Sequence, residues 1–255
     1  MPTPNRPNRP SRTTTVVQTS QLTPGMVRIV VEGPDLQDFP VGEYTDHYVK
    51  CRFGEKTRTY TVREYDPASR RLTLDFVVHG DEGLAGPWAA TAAPGDTLLL
   101  NGPGGGYAPS PDADWHLMVG DEAVIPAVAV SLQRVPAGVP VHVILEVEGS
   151  EHEQPLSSPG DLHLTWLHRA GGPGEDPDLQ LEAVRALKLR DGRGHAFIHG
   201  EATAVLMIRR HLVRDRGMTA DQLSATGYWK LRRTDEQWRA EKRDWLRQAE
   251  QDLVA

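Results

Sequence analysis

The chain reads as two domains of different class: an N-terminal antiparallel β-barrel, then a doubly wound parallel-sheet α/β domain that closes with a C-terminal helix. Three observations predict this. Up to about residue 110, short strand-like runs are separated by Pro, Gly and Asp turns with almost no helical period. Beyond YAPSPDAD, a Pro/Asp-rich stretch with linker character, strands alternate with amphipathic helices, the signature of a mostly parallel sheet. A length of 255 residues is also enough for two modest cores. The boundaries are read as 12–112 for the barrel and 113–255 for the α/β domain.

In the first domain the strand-like runs are TTTVVQTSQL, MVRIVVEG, DHYVKCRF, RTYTVREYD, RLTLDFVVHG and DTLLLNG. TPG, PDLQDFPVGE, DPAS and APGD supply the turns between them, and one short helix is expected around PWAATA. About six short strands with turns between them suggest a sheet closed on itself. In the second domain WHLMVG is a buried strand, and GDEAVIPAVAVSLQRVP a turn and helix with Pro126 in the tolerated first turn. VPVHVILEVE and LHLTWLH are the next strands, followed by the helix PDLQLEAVRALKL and the strand HAFIHG. EATAVLMIRRHLVRDRG places Val205, Ile208 and Leu212 on one helical face and stops at Gly217. QLSATGYW is the fifth strand. The final helix opens on Thr234 with Gln237 three residues on, a capping-box pattern, and carries Trp238 and Trp245 on the face that should hold it to the body of the domain.

Composition excludes several classes. Lys plus Arg total 28 against 35 Asp plus Glu, a formal charge of -7, so there is no global electrostatic footprint for nucleic acid. One cysteine, Cys51, rules out an intramolecular disulfide framework and a thiolate-only iron–sulfur cluster. Cys51 reads as a small buried filler. The N-terminal MPTPNRPNRPSRTTT has no apolar core of a secretory signal, and no stretch approaches a membrane span. The expectation is a soluble, cytoplasmic protein without a nucleic-acid or membrane partner, and a monomer by default. His152, His163 and His168 lack the tight spacing of metal ligands, and no metal site is expected.

RTYTVR, residues 58 to 63, is an odd strand because Val62 is its only aliphatic residue. A side-chain period of two puts Arg58 and Tyr60 on one face and Thr59, Thr61 and Arg63 on the other. A cation beside an aromatic plate suits a ligand with both a phosphate and a flat ring, whereas an edge strand with solvated polar residues would look the same.

Taken in order, RTYTVR, HGDEGLAGPWAATAAPGD with GPGGGY, GDEAVIPAVA, HGEATAV and GYWKLRRTDEQWRAEKRDW resemble the siderophore-interacting proteins, a family within the ferredoxin reductase superfamily. The resemblance covers about residues 45 to 245. It implies an FAD-containing, NAD(P)H-dependent ferric-siderophore reductase, in which electrons pass from NADPH or NADH through FAD to siderophore-bound ferric iron. Ferrous iron is held less tightly by hard oxygen ligands, so reduction would release it. Two rivals stay open: a related flavin reductase with another electron acceptor, and a non-catalytic siderophore- or flavin-binding protein.

Residue by residue, the resemblance gives Arg58 the FAD pyrophosphate, Tyr60 a place against the isoalloxazine ring and Thr61 a hydrogen bond near its reactive nitrogen, with Thr59 beside them. His79 and Asp81 would sit by the flavin or its ribityl chain. Gly83, Ala85 and Gly86 would form a turn and helix start that direct backbone N–H groups at the diphosphate. The family often has a hydroxyl residue where this chain has Gly86, and a threonine where it has Val124. GPGGGY is read as a turn letting the backbone approach the cofactor, with Tyr107 stacking on a ring; apart from the resemblance it reads as a flexible loop. Gly120, Asp121 and Glu122 after the first α/β strand, and Gly200 and Glu201 after the fourth, would meet NAD(P)H, with Glu201 orienting the cofactor. His199 fits an interior hydrogen-bonded histidine better than a ligand. Glu146 and Glu148 favour the free ribose diol of NADH, Arg169 the extra phosphate of NADPH, and the choice stays open. No catalytic side chain is required, since the chemistry lies in the FAD. Lys230, Arg233 and Lys242 would draw an anionic ferric siderophore. For Lys242, with Arg239 and Arg243, a solvated helix face laced by pairs such as Asp235 with Arg239 is the competing account.

Overall fold

Along the N-terminal strands, alternate residues are buried, and the buried set from each strand meets in one core. The computed structural model describes residues 11–78, 83–170 and 172–251. It places β1 (Ser11–Thr23), β2 (Met26–Glu32), β3 (Tyr48–Phe53), β4 (Lys56–Asp66), β5 (Arg71–Val77) and β6 (Thr97–Gly104) in a closed barrel of order β1-β2-β5-β4-β3-β6, every pairing antiparallel. Val27, Ile29 and Val31 of β2 meet Leu72, Leu74 and Phe76 of β5 inside it, joined by Val49, Cys51, Leu98 and Leu100. Cys51 is fully enclosed, and burial raises its thiol pKa, so it fills space in the core as expected. Helix α1 (Ala85–Thr91) packs on this core through Ala85, Ala89 and Trp88.

Two departures from simple alternation matter. The β4–β5 register slips between Val62, opposite Leu74, and Glu64, opposite Thr73. Val62 and Tyr65 both lie against the core although they are three residues apart, so Arg63 is the extra residue of a β-bulge. The second departure is GPGGGY, expected as a turn. Its first three residues instead continue β6, with a cis Gly102–Pro103 bond, and Gly104 pairs with Tyr48. A Cβ on Gly104 would lie 2.2 Å from Cζ of the Tyr48 ring, so the close backbone approach made there is to Tyr48.

A second compact unit begins at Tyr107. It contains β7 (Trp115–Asp121), α2 (Ile125–Leu132), β8 (Pro140–Val147), β9 (Asp161–His168), α3 (Asp178–Ala186), β10 (Gly194–Glu201), α4 (Ala202–Arg214), β11 (Leu223–Trp229) and α5 (Asp235–Gln251). The sheet is wholly parallel, in the order β11-β10-β7-β8-β9. Every residue of β7 is buried, which explains why the central strand is a nearly continuous apolar run. The chain steps outward from β7 to β8 and β9, then returns to β10 on the other side of β7. The carboxyl ends of β7 and β10 therefore flank the crevice where open α/β sheets bind ligands.

The helices follow their sequence signals. Val205, Ile208 and Leu212 are buried on α4, and Gly217, at φ +69°, follows its end. Thr234 and Gln237 cap α5 reciprocally, at 2.9 and 3.2 Å. Trp238 and Trp245 are both buried, edge to face at 5.8 Å, and the Trp245 indole donates to the Ala202 carbonyl at 3.1 Å. Among the described residues, no helix is long and apolar enough to cross a membrane.

His116 is one point at which acid weakens the sheet. It is fully buried in β7, and neither ring nitrogen has a partner among the described residues. Burial, then the neighbouring His195, pushes its pKa down to about 4. A folded pKa below the unfolded value means that the stability contributed by the neutral ring is present above the unfolded pKa of about 6.5 and is lost as pH falls towards about 4. His116→Leu is expected to be neutral or stabilising at pH 7. At pH 5 it should exceed wild type by a further ~2 kcal/mol, at ~1.4 kcal/mol per pH unit, in urea unfolding.

Candidate functional site

On the barrel, the motif strand β4 divides its side chains as the period of two requires, up to the bulge. Tyr60 and Val62 pack against the core, with Arg58 on their side, while Thr59 and Thr61 point away from it. The Tyr60 ring lies 4.0 Å from Phe76, which is 5.6 Å from Trp88 of α1. Phe76 thus brings the strand motif and the helix motif to one end of the barrel. One side of Tyr60 is already taken by Phe76, so at most the remainder of its ring is available to a flat ligand. Arg58 donates to the Thr57 carbonyl at 3.0 Å. Thr61 is 7 % exposed although it faces away from the core, and its hydroxyl makes no hydrogen bond among the described residues.

His79 and Asp81 lie outside the described residues. Gly83 adopts φ +91°, in the left-handed region that glycine tolerates, just before α1. Ala85 is the first residue of α1 and is buried; Gly86 is the second. Among the described residues no side chain caps the N-terminus of this helix. A Cβ on Gly86 would sit 3.5 Å from the Val77 carbonyl and 3.7 Å from Cα of Val78, ordinary contact distances. Space for a side chain exists there; only the hydroxyl is missing.

Tyr107 corrects an expectation. Its ring is buried in the second unit, stacked on His195 at 5.1 Å and tilted against Phe197 at 4.6 Å. With 3 % of the residue exposed, little of its ring is left for a flavin, and nothing in the sequence next to GPGGGY announces partners some 90 residues away.

In the α/β unit, one carboxylate organises the switch point. Asp121, at the end of β7, is 3 % exposed. Its Oδ1 accepts from the Ala123 N–H at 2.9 Å, and its Oδ2 from the Glu201 N–H and the Trp229 indole, each at 2.9 Å. The ends of β7, β10 and β11 are thereby tied together. Burial, then the charge of Glu122, pushes the Asp121 carboxyl up to about 7, against the pull of Trp229 and Ala123. Glu201 is equally enclosed and caps α4: Oε2 accepts from the Thr203 and Ala204 N–H groups at 2.5 and 3.0 Å, and Oε1 from Leu231 at 3.2 Å. Glu201 was expected to orient the cofactor and Asp121 to meet it; both carboxylates are instead committed to the protein's own donors. His199 is the interior histidine anticipated, bonded to Ser224 at 2.9 Å and stacked on Phe197 at 3.7 Å, and burial drives its pKa down to about 3.

The residues that argued for opposite nucleotides prove to be neighbours. Arg169 is buried, 2.6 Å from Glu122 and 3.9 Å from Glu146, and Glu146 accepts from Gln180 at 2.9 Å. Glu148 is exposed beside His152, at 3.7 Å. The tie from Glu122 to Arg169 and the role of Gln180 were invisible to sequence reasoning, because they join the ends of β7, β9 and α3 across the top of the sheet.

The C-terminal cations are less free than their spacing suggests. Lys230 and Arg233 share one acid, Glu241, at 3.5 and 2.6 Å, which leaves an excess positive charge at the surface. Lys242 is half-buried, donates to the Gly227 carbonyl at 2.8 Å and lies 6.0 Å from the Trp238 ring centre. Burial lowers its pKa. Lys242 therefore joins α5 to β11 rather than reaching outward, a correction to its expected role on substrate. Asp235 and Arg239 pair at 2.7 Å, as anticipated. Among the described residues no group of three His, Cys, Asp or Glu side chains is arranged to hold a metal ion.

Comparisons with known proteins bear on both units. The family model described as a siderophore-interacting FAD-binding domain matches residues 15–57 and 54–107, and the one described as siderophore-interacting protein matches 113–232. The chain is 37% identical over 271 residues to an uncharacterized protein of Mycobacterium tuberculosis, covering 92% of this chain and 96% of that one. It is 30% identical to the ferric vibriobactin reductase ViuB of Vibrio cholerae, covering 89% of this chain and 92% of that one. Among solved structures, the siderophore-interacting protein SipS of Aeromonas hydrophila is similar with a TM-score of 0.83 and 29% identity, over 94% of this chain and 99% of that one. A ferredoxin NADP+ reductase of Neisseria gonorrhoeae shares the fold with a TM-score of 0.63 at 19% identity, over 86% of this chain and 99% of that one.

The switch-point geometry makes a sharp demand on glycine. Gly200 sits at φ +123°, and a Cβ there would lie 2.5 Å from Oδ2 of Asp121. Gly200→Ala is expected to cost at least ~2 kcal/mol in chemical unfolding. The control Gly138→Ala, at φ +74° with nothing within 4 Å, should cost only ~1 kcal/mol.

Proposed function

The chain belongs to the siderophore-interacting protein family, and on that premise we propose that it is a cytoplasmic flavin-dependent ferric-siderophore reductase. Electrons would pass from NADH or NADPH through FAD to siderophore-bound ferric iron. The observation that carries this reading is that the two family matches fall in order on the two units, 15–107 on the barrel and 113–232 on the parallel sheet. The similarity to a ferric vibriobactin reductase over nine-tenths of the chain supports the reaction class.

The barrel residues fit a flavin nucleotide. Among the described residues Thr61 offers an enclosed hydroxyl without a hydrogen-bond partner on the outer side of β4, Arg58 and Tyr60 lie on the same strand, and the α1 entry at Gly83 to Gly86 has no side-chain cap and little side-chain bulk. Bound FAD would supply the conversion between two-electron donation by a nicotinamide and one-electron acceptance by iron. The protein's own part is to hold and orient. Arg58 would neutralise the pyrophosphate, and Thr61 would fix the ring by a hydrogen bond. Gly120 and Gly200 are buried and let the strand ends pack closely at the switch point where a nicotinamide nucleotide would bind, with Asp121 and Glu201 fixing those ends. Lys230 and Arg233, with one acid between them, would attract an anionic siderophore despite the overall charge of -7.

The purified protein should be yellow, or become so with FAD, lose its visible colour under NADH or NADPH without oxygen, and regain it on addition of a ferric siderophore while a ferrous trap develops. A protein that takes up no FAD would overturn the reading. Two variants probe it further. Gly86→Ser should tighten FAD binding by about fivefold, roughly the ~1 kcal/mol of one added hydrogen bond, in a fluorescence titration. The double variant Lys230→Gln, Arg233→Gln should raise KM for an anionic ferric siderophore several-fold with kcat unchanged, and the difference should shrink in high salt.

A further inference from the structure

RTYTVR has an arginine at each end, and the proposed function uses only Arg58. Arg63 is the extra residue of the β4 bulge, so it and Glu64 both fall on the outer side of the barrel, near Thr73 and Asp75 of β5. Bulges of this kind re-aim a side chain, and they recur beside binding sites. The natural counter-ion there is already engaged. Arg28 grips Asp75 as a fork, Nε on Oδ1 at 2.7 Å and Nη2 on Oδ2 at 2.8 Å, and Asp75 is buried. Arg63 is half-buried and makes no hydrogen bond or ion pair among the described residues. Burial first, and then the like charge of Arg28, depress its pKa, but a guanidinium cannot escape by losing its proton.

Asp75 and Glu64 attract Arg63 through space, but Asp75 already holds Arg28, and a partly desolvated cation without a hydrogen bond or ion pair among the described residues costs stability. Such a group is suited to an anionic ligand. Its place on the strand says which part of the ligand. On the FAD reading Arg58 would lie at the pyrophosphate end of the motif and Thr61 at the reactive part of the ring. Arg63, two residues beyond Thr61 on the same side, lies about 7 Å further along, well away from the phosphates. We propose that Arg63 is the cation that holds the pyrimidine edge of the flavin and favours its reduced, more negatively charged form over the oxidised one. The inference rests on the FAD reading above and adds to it a residue that sets the electron affinity of the site.

The test uses FAD-loaded wild type, Arg63→Gln and Arg63→Lys, each titrated anaerobically against a reference dye of known potential, with thermal unfolding of each. Arg63→Gln should unfold at the wild-type temperature or above, bind oxidised FAD within about twofold of wild type, and hold reduced FAD about tenfold less tightly. That ratio lowers the midpoint potential by ~30 mV for a two-electron couple. Arg63→Lys should recover part of the difference. An unchanged potential in Arg63→Gln overturns the proposal, as does an equal loss of both flavin forms with a lower unfolding temperature, which marks a structural role. A change confined to KM for the siderophore overturns it too. If wild type itself takes up no FAD, the parent reading fails before any variant is compared, so the two failures are separable.

Discussion

A single buried carboxylate holds the working end of the α/β unit in register. Asp121 receives one N–H from its own loop, one from the end of β10 and an indole N–H from the end of β11, a residue 108 positions away. The central strand and both strands on its switch side are thus fixed against one another at their carboxyl ends. The glycines follow from this. Gly200 lies so close to the Asp121 carboxylate, and Gly120 to the His199 carbonyl, that a Cβ on either would come within 2.6 Å. Glu201 continues the arrangement by tying the start of α4 to Leu231 beyond β11. The strand ends that flank the crevice are thus held by acids turned inward onto the protein's own donors.

The barrel meets a different constraint. A six-stranded sheet can close only if its inward residues stay in phase around the ring, and the register is adjusted by shifts in the β1–β2, β3–β6 and β4–β5 pairings. At Arg63 the phase breaks by one residue, and both Val62 and Tyr65 still reach the core. The bulge lets β4 present two charged side chains in succession to the outside without giving up an apolar position inside. A motif strand poor in aliphatic residues can therefore remain part of a closed core.

How much of this was legible in the sequence depends on the range of the interaction. The strands, the helices and the two-domain order rest on local period and turn chemistry, and the cap of Thr234 and Gln237 is an interaction within four residues. The bulge was not legible, because RTYTVR reads as unbroken alternation and the slip is set by the partner strand. Tyr107 was assigned to a cofactor because its own neighbours are glycines and prolines, whereas its ring contacts come from His195 and Phe197. For Asp121 and Glu201 the sequence marked the right place, the strand ends, but not the direction of the side chains, which distant donors decide.

The cations show why composition alone is a poor guide to electrostatic function. Arg169, Arg239 and Lys242 each look available in the sequence, yet each is matched within the fold, by Glu122, Asp235 and the Gly227 carbonyl. Arg28 is matched twice over by Asp75. Pairing within the chain neutralises a charge at short range, and screening removes much of what is left beyond about 10 Å. What a ligand can feel is the residue of that matching, and among the described residues it includes two cations sharing Glu241 at the surface and Arg63 where Asp75 is already engaged. A chain with an excess of acids can thus hold attractive sites for anions, because the sign at a site is set by which charges lack a partner and not by the sum.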